Sequence, residues 1–342
     1  MKKLLNTLYV TTPDSYLSKD GLNLVVECRN KEMGRVPIHN LQSVICFGYM
    51  GASPAAMQLC TSNDVSLSFL TPNGRFQASV NGETRGNVLL RRTQYRVADD
   101  SSHSLEISKN IIKGKMFNCR QLLRRGRNDH KGDIDLQRVE DAISVITRDI
   151  ASINEANSSD ILRGLEGHSA KIYFSGFNNL ILKQKDDFYI HTRNRRPPTD
   201  RMNSLLSFLY TVLANDVRSS LESTGLDPYV GFLHTDRPGR ASLALDIMEE
   251  MRPIADRLAL NLVNLRIISG EGFVEKENGS IVMADETKKI VIDSWQQKKQ
   301  EMIMHPFLEE KIQMGLLPHV QSMLMARYLR GDIDGYPPFF MK

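Results

Sequence analysis

The segment His234-Thr235-Asp236-Arg237-Pro238-Gly239-Arg240 leads into a helical pattern that carries Asp246, Glu249 and Glu250. Asp246 stands three residues before Glu249 and four before Glu250, so the three acids share one side of a helix. Leu243, Ile247, Met248, Met251 and Ile254 mark the apolar side, and the acidic row lies at its margin rather than opposite it. Carboxylates at a core margin need partners. One candidate is a divalent cation, since hard ions take carboxylate oxygens and manganese also accepts an imidazole such as that of His234. The other is an ion pair with Arg252 or Arg240, an arrangement that contributes little. A lone histidine is also more often a structural hydrogen-bonding group than a ligand, and spacing alone favours the ion pair.

A second anomaly is Glu166, in Leu162-Arg163-Gly164-Leu165-Glu166-Gly167-His168. Two glycines near a charged residue inside a helical pattern cost about 1 kcal/mol each relative to alanine. Either the helix is kinked or closely packed there, or the missing side chains open space beside Glu166 for a metal and a phosphodiester. Arginines gather at Arg91 and Arg92, at Arg124, Arg125 and Arg127, and at Arg193, Arg195, Arg196 and Arg201. Such clusters suit phosphates, and they equally suit solvated helix ends. Tyr210, inside a strongly apolar helix, reads as a packed core residue rather than a nucleophile.

The elements that must position these residues change character along the chain. Through about residue 85 the alternation at residues 22–27 and 65–70 has the period of strands. Turn signals separate them, including Pro72-Asn73-Gly74 between two strand-like runs. Ser53 followed by Pro54 marks a short helix among the strands. From about Ser102 the period becomes 3.6, with Leu105, Ile112, Met116 and Leu123 on one stripe. A loop is expected over residues 124–135, then helices over 136–153 and from Ser158 or Ser159. A long apolar helix ends at the Gly225 turn, and another is expected over residues 242–258. A hairpin about Glu277-Asn278-Gly279 and two final helices follow. The expectation is an α+β chain of two domains: a β domain over 1–85, a linker over 86–101 and a helical domain over 102–342.

At 342 residues the chain exceeds the usual size of one compact domain. Its longest apolar stretches are too short for a membrane span, and no export signal is evident. Cys28, Cys46, Cys60 and Cys119 lack the close pairings of zinc or redox motifs and read as reduced thiols, which fits a cytoplasmic protein. A net charge of +4 is too small by itself to assign a nucleic-acid partner.

Several segments together resemble the CRISPR-associated adaptation integrase and endonuclease family, most closely its subtype I-C. They are Leu162-Arg163-Gly164-Leu165-Glu166-Gly167, Gly231-Phe232-Leu233-His234 and the run from Ser242 to Pro253. The stretch from Arg195 to Phe208 and the ending Arg330-Gly331-Asp332 also match. The resemblance implies a small N-terminal β-sandwich-like domain and a larger all-α domain, in line with the periodicity. It implies a Mn2+ or Mg2+ site built from Glu166, His234 and Glu249, where many relatives carry aspartate in place of Glu249, with Asp246 in a supporting catalytic role. It further implies a homodimer working with a small ferredoxin-like partner on double-stranded DNA, both captured fragment and CRISPR repeat. Integration would proceed by 3′-hydroxyl transesterification, and Arg195, Arg196, Arg201 and Arg240 are candidates for holding the DNA backbone. Two other readings remain open: a non-catalytic DNA-binding scaffold whose acids only pair with arginines, and a nuclease that cuts branched DNA alone.

Overall fold

The computed structural model describes residues 7–29, 31–41, 43–48, 50–71, 76–80, 82, 88–194 and 197–341. The chain divides into two compact units: Met1–Gly86 with Met283–Gln300, and Asn87–Val282 with Glu301–Lys342.

In the first unit, strands β1 (Thr7–Val10), β2 (Ser15–Asp20), β3 (Asn23–Cys28), β4 (Lys31–Pro37), β5 (Ser43–Phe47) and β6 (Gly51–Ala52) precede helix α1 (Pro54–Ser62). Strands β7 (Ser66–Leu70) and β8 (Phe76–Val80) follow. They form two four-stranded sheets, ordered β1-β5-β7-β8 and β4-β3-β2-β6. In the first, β1 and β7 both run parallel to β5, and β8 is antiparallel to β7. One core joins Leu17 and Leu24 of one sheet to Val44, Cys46 and Leu67 of the other and to Ala56, Leu59 and Cys60 of α1. The short helix starts where Ser53 and Pro54 place it, with the Ser53 hydroxyl accepting from the Ala56 amide at 3.1 Å. The turn expected at Pro72-Asn73-Gly74 lies outside the described residues, but β7 and β8 on either side pair antiparallel as a hairpin should.

The second unit is mainly helical: α2 (Val88–Asp99), α3 (Ser101–Asp129), α4 (Leu136–Ser152), α5 (Ser159–Asn179), α6 (Arg201–Thr224), α7 (Ser242–Glu249) and α8 (Arg252–Asn264). A hairpin of β9 (Phe273–Glu275) and β10 (Ile281–Met283) comes next, followed by helix α9 (Asp285–Gln300), where the chain returns to the first unit. A second hairpin, β11 (Met302–His305) and β12 (Glu310–Gln313), and helix α10 (Leu317–Leu329) complete the chain. Ser158 caps α5, accepting from the Ile161 amide, and Gly225 ends α6 with φ of 83°. No described helix is long and apolar enough to cross a membrane. All four cysteines are free.

The structure departs from the sequence expectation at four places. Residues 88–99, expected within a linker, form α2, because Leu90 and Gln94 face inward and are buried. Residues 124–129, expected as loop, continue α3, and the bare face of Gly126 there lies directly against the Leu180 side chain. The helix expected over 242–258 is two helices, since Pro253 has no amide to continue the hydrogen-bond ladder and starts α8 instead. Helix α9 belongs to the first unit rather than to the helical one: Gln296 donates to the Thr7 carbonyl at 3.0 Å and Lys299 to the Thr7 hydroxyl at 3.1 Å.

Gln94 ties α2 to the segment that leads to His234. Fully buried, it donates to the carbonyls of Asp227 and Val230 and accepts from the Asp227 amide. Gln94→Leu keeps the bulk but leaves three backbone groups unpaired, so chemical denaturation should show a loss of about 2–4 kcal/mol.

Candidate metal centre

The acids that share one side of the 242–258 pattern part company in the fold. Asp246, fully buried on α7, turns to the preceding loop. One of its oxygens accepts from the amides of Phe232 at 2.6 Å and Leu233 at 3.0 Å, and the other from the amide of His234 at 3.0 Å. The second oxygen also meets His234 Nδ1 at 2.7 Å. With a carboxylate as acceptor, Nδ1 is the donor of this pair, which turns Nε2 away from Asp246. Gly231 allows this closeness, because a Cβ there would lie 2.8 Å from the Asp246 carboxylate and 2.8 Å from the Ser242 carbonyl carbon.

Glu249, one turn further along α7, faces a cavity of about 380 Å3 whose lining includes Glu166, His234 and Lys115. Lys115 comes from the inward side of α3, between the buried Ile111, Ile112 and Cys119. Its ammonium pairs with Glu249 Oε2 at 2.7 Å and with Glu166 Oε1. Arg252, at the start of α8, brings Nε to 2.8 Å from the same Glu249 oxygen. Burial alone would raise the Glu249 carboxyl, but Arg252 and Lys115 outweigh it and hold the group well below the usual carboxylate range. Lys115 is likewise penalised by burial and driven above its ordinary value by Glu249 and Glu166. Both partners are therefore charged.

Glu166 reaches this point from the middle of α5. A Cβ on Gly164 or Gly167 would meet nothing within 4 Å, so neither glycine is there for close packing. Deeper in the cavity, Tyr173 and Tyr210 donate to the two oxygens of Asp256 at 2.8 Å and 2.5 Å. Burial pushes the Asp256 carboxyl up to about 6, against the pull of the two hydroxyls. The Arg252 guanidinium stacks over the Tyr210 ring at 4.5 Å. Tyr210 is thus the packed residue its helix suggested, with its hydroxyl committed to Asp256.

Glu250 lies just past the end of α7 and serves the C-terminal segment. Its carboxylate accepts from the Tyr336 hydroxyl at 2.6 Å, the Phe339 amide at 2.6 Å and Gln321 at 2.9 Å. Asn118 of α3 fastens the same segment, donating to the carbonyls of Glu250 and Phe339 and accepting from the Met341 amide.

Among the described residues, no three His, Cys, Asp or Glu side chains stand at metal-ligand spacing. The donor types, two carboxylates and an imidazole, are those a divalent ion such as manganese accepts. Glu166 and Glu249 converge on a single positive group, the Lys115 ammonium, and His234 lines the same cavity. Asp246 acts behind His234 as an orienting group. Of the basic residues expected to hold DNA, Arg195 and Arg196 lie outside the described residues. Arg201 is engaged with the Gly270 carbonyl at 3.2 Å and Asp187 at 3.6 Å, and Arg240 holds Thr235 and Ser242.

Sequence reading missed Lys115, Tyr173 and Asp256 as members of the site. The signal for Lys115 was present: it interrupts the apolar face of its helix between Ile112 and Cys119.

Comparison with known proteins places the chain in a family. The family described as CRISPR associated protein Cas1 matches residues 8–297. A CRISPR-associated endonuclease Cas1 of Chlorobaculum tepidum is 46% identical over 340 residues, spanning 99% of both chains. Among solved structures, a casposase bound to its integration product has a TM-score of 0.84 at 19% identity, covering 97% of this chain and 93% of the other. A Cas6-RT-Cas1–Cas2 complex gives 0.84 at 20% identity, with all of this chain covered and 37% of the other. At these identities the two structures establish likeness of fold.

Asp246→Asn puts an amide NH2 where four donors converge, so manganese affinity measured by calorimetry should fall about 10–100-fold. For Glu250, burial pushes the carboxyl up to about 8 despite its three donors, so the folded protein keeps a proton that the unfolded chain releases near its ordinary value. The stability this gives is complete below about pH 4 and is lost as pH rises through about 8. Urea midpoints should therefore decline across that window, and Glu250→Gln should reduce the decline; equal slopes would mean the carboxyl is ionised throughout.

Proposed function

The chain belongs to the Cas1 family, and on that premise we propose that it is a metal-dependent DNA endonuclease and integrase that inserts captured DNA fragments into a CRISPR array as new spacers. The observation that carries this reading is the convergence of Glu166 and Glu249 on one cation position beside His234. The curated relative is named an endonuclease, and the same fold serves a casposase caught with its integration product.

Glu166, Glu249 and His234 Nε2 would hold the ion, manganese or magnesium. Bound there, it would supply Lewis acidity toward a phosphoryl oxygen and offset the charge that develops in the transition state. Asp246 fixes the imidazole tautomer that leaves Nε2 available. Arg252 keeps Glu249 ionised at all ordinary pH values and, stacked on Tyr210, fixes its arm. In the reaction the 3′-hydroxyl of the fragment gives up its proton and forms a bond to phosphorus at the repeat boundary. The bond from that phosphorus to its former 3′-oxygen breaks, and no covalent enzyme intermediate is needed. With water as nucleophile the same site would cut DNA.

The assembly follows the same premise. A structure of similar fold is a Cas6-RT-Cas1–Cas2 complex, which supports a protein partner, and the proposed assembly is a homodimer acting with a small ferredoxin-like partner in the cytoplasm. The likeness to subtype I-C rests on the sequence segments. A second reading has a specific observation behind it: Glu166 and Glu249 are already neutralised by Lys115 and Arg252, as they would be in a non-catalytic DNA-binding scaffold.

Strand transfer separates the two. Protein with its small partner, manganese, a short duplex with free 3′ ends and a plasmid bearing the repeat should yield joined products. His234→Ala should reduce them by about 100-fold or more. Equal joining by the variant would refute the site, failure of both proteins to join or cut DNA would favour the scaffold, and cutting of branched DNA without the partner would favour a stand-alone nuclease.

A further inference from the structure

Lys115 is not part of the ligand set, yet its ammonium lies where both carboxylates point. Its side chain is 13% exposed, so it is a buried charge kept in place by its partners rather than a solvated residue. Within the ion-paired group Glu166 and Glu249 supply two negative charges, and Lys115 and Arg252 two positive ones. A divalent ion entering this group would compete with these cations for the same two carboxylates, most simply by one of them leaving.

The two cations differ in their freedom to do so. Arg252 is fixed at several points, buried at the start of α8, stacked on Tyr210 and paired with Glu249. Lys115 is a compact charge on a flexible four-carbon arm, held at its tip by the two carboxylates, and a cavity of about 380 Å3 lies beside it. We propose that Lys115 is the exchangeable cation of this site: it holds Glu166 and Glu249 together in the metal-free protein and must swing out for manganese or magnesium to bind. The proposal rests on the metal-centre reading above. It makes Lys115 a positioning and affinity-setting residue, one that keeps two close acids from repelling each other while the site lacks its ion and lowers the affinity for that ion.

The test is a manganese titration of the full chain by calorimetry, with thermal melts in parallel, on the wild type, Lys115→Met, Lys115→Gln and Lys115→Arg. Removing the charge while keeping the length should tighten manganese binding by at least about tenfold in the Met and Gln variants. Their metal-free melting temperatures should fall, and manganese should restore them with a larger upward shift than in the wild type. Lys115→Arg, which keeps the charge, should bind manganese no more tightly than the wild type. Equal or weaker binding by both neutral variants, or tighter binding by the arginine variant, overturns the proposal and leaves the metal centre standing. Absence of manganese binding in every protein overturns the metal-centre reading and this proposal with it. If Lys115→Met does not fold, the Gln and Arg variants still decide the sign.

Discussion

Burying the carboxylate of Glu249 is the constraint on which the helical unit depends. An uncompensated charge at that depth is strongly unfavourable, so the fold must bring positive charge to it from elsewhere in the chain. Lys115 arrives from α3 and Arg252 from α8, and each contact fixes the helix that supplies it. The requirement that makes Glu249 costly also keeps it ionised, which a hard-metal ligand needs. Glu166, more exposed on α5, shares Lys115 and so is drawn to the same point. Four helices, α3, α5, α7 and α8, are thereby held at one position by charge as well as by packing.

The acidic cluster at the end of α7 is divided among different tasks. Asp246 faces the loop and sets the histidine, Glu249 faces the cavity, and Glu250 faces the C-terminal segment. Pro253 imposes the break, and Glu250 and Arg252 on either side of it have different partners, the C-terminal segment and Glu249. The C-terminal segment is consequently part of the support of the site. Through Glu250 and Asn118 it grips the end of α7 and the middle of α3, the helices that carry Glu249 and Lys115. Gly114 makes room for this, since a Cβ there would lie 2.9 Å from Pro338 and 3.1 Å from Glu250.

The division into a strand-rich part and a helical part is legible in the linear pattern, because side-chain period records which faces are buried regardless of what covers them. The caps at Ser53, Ser158 and Gly225 are legible too, since local backbone chemistry decides the outcome there. Glu166, His234, Asp246 and Glu249 stand out for a related reason: polar groups among apolar ones or beside glycines are anomalies that need no third dimension to be seen. Other features exist only once the chain is folded. Whether α9 joins the strand-rich unit depends on Gln296 and Lys299 meeting Thr7, almost three hundred residues away. Whether three neighbouring acids act together or separately depends on what each one faces in the fold. That Lys115 lies between Glu166 and Glu249 depends on how α3, α5 and α7 pack, and a linear pattern that shows a lysine on an apolar face cannot say which charge it meets there.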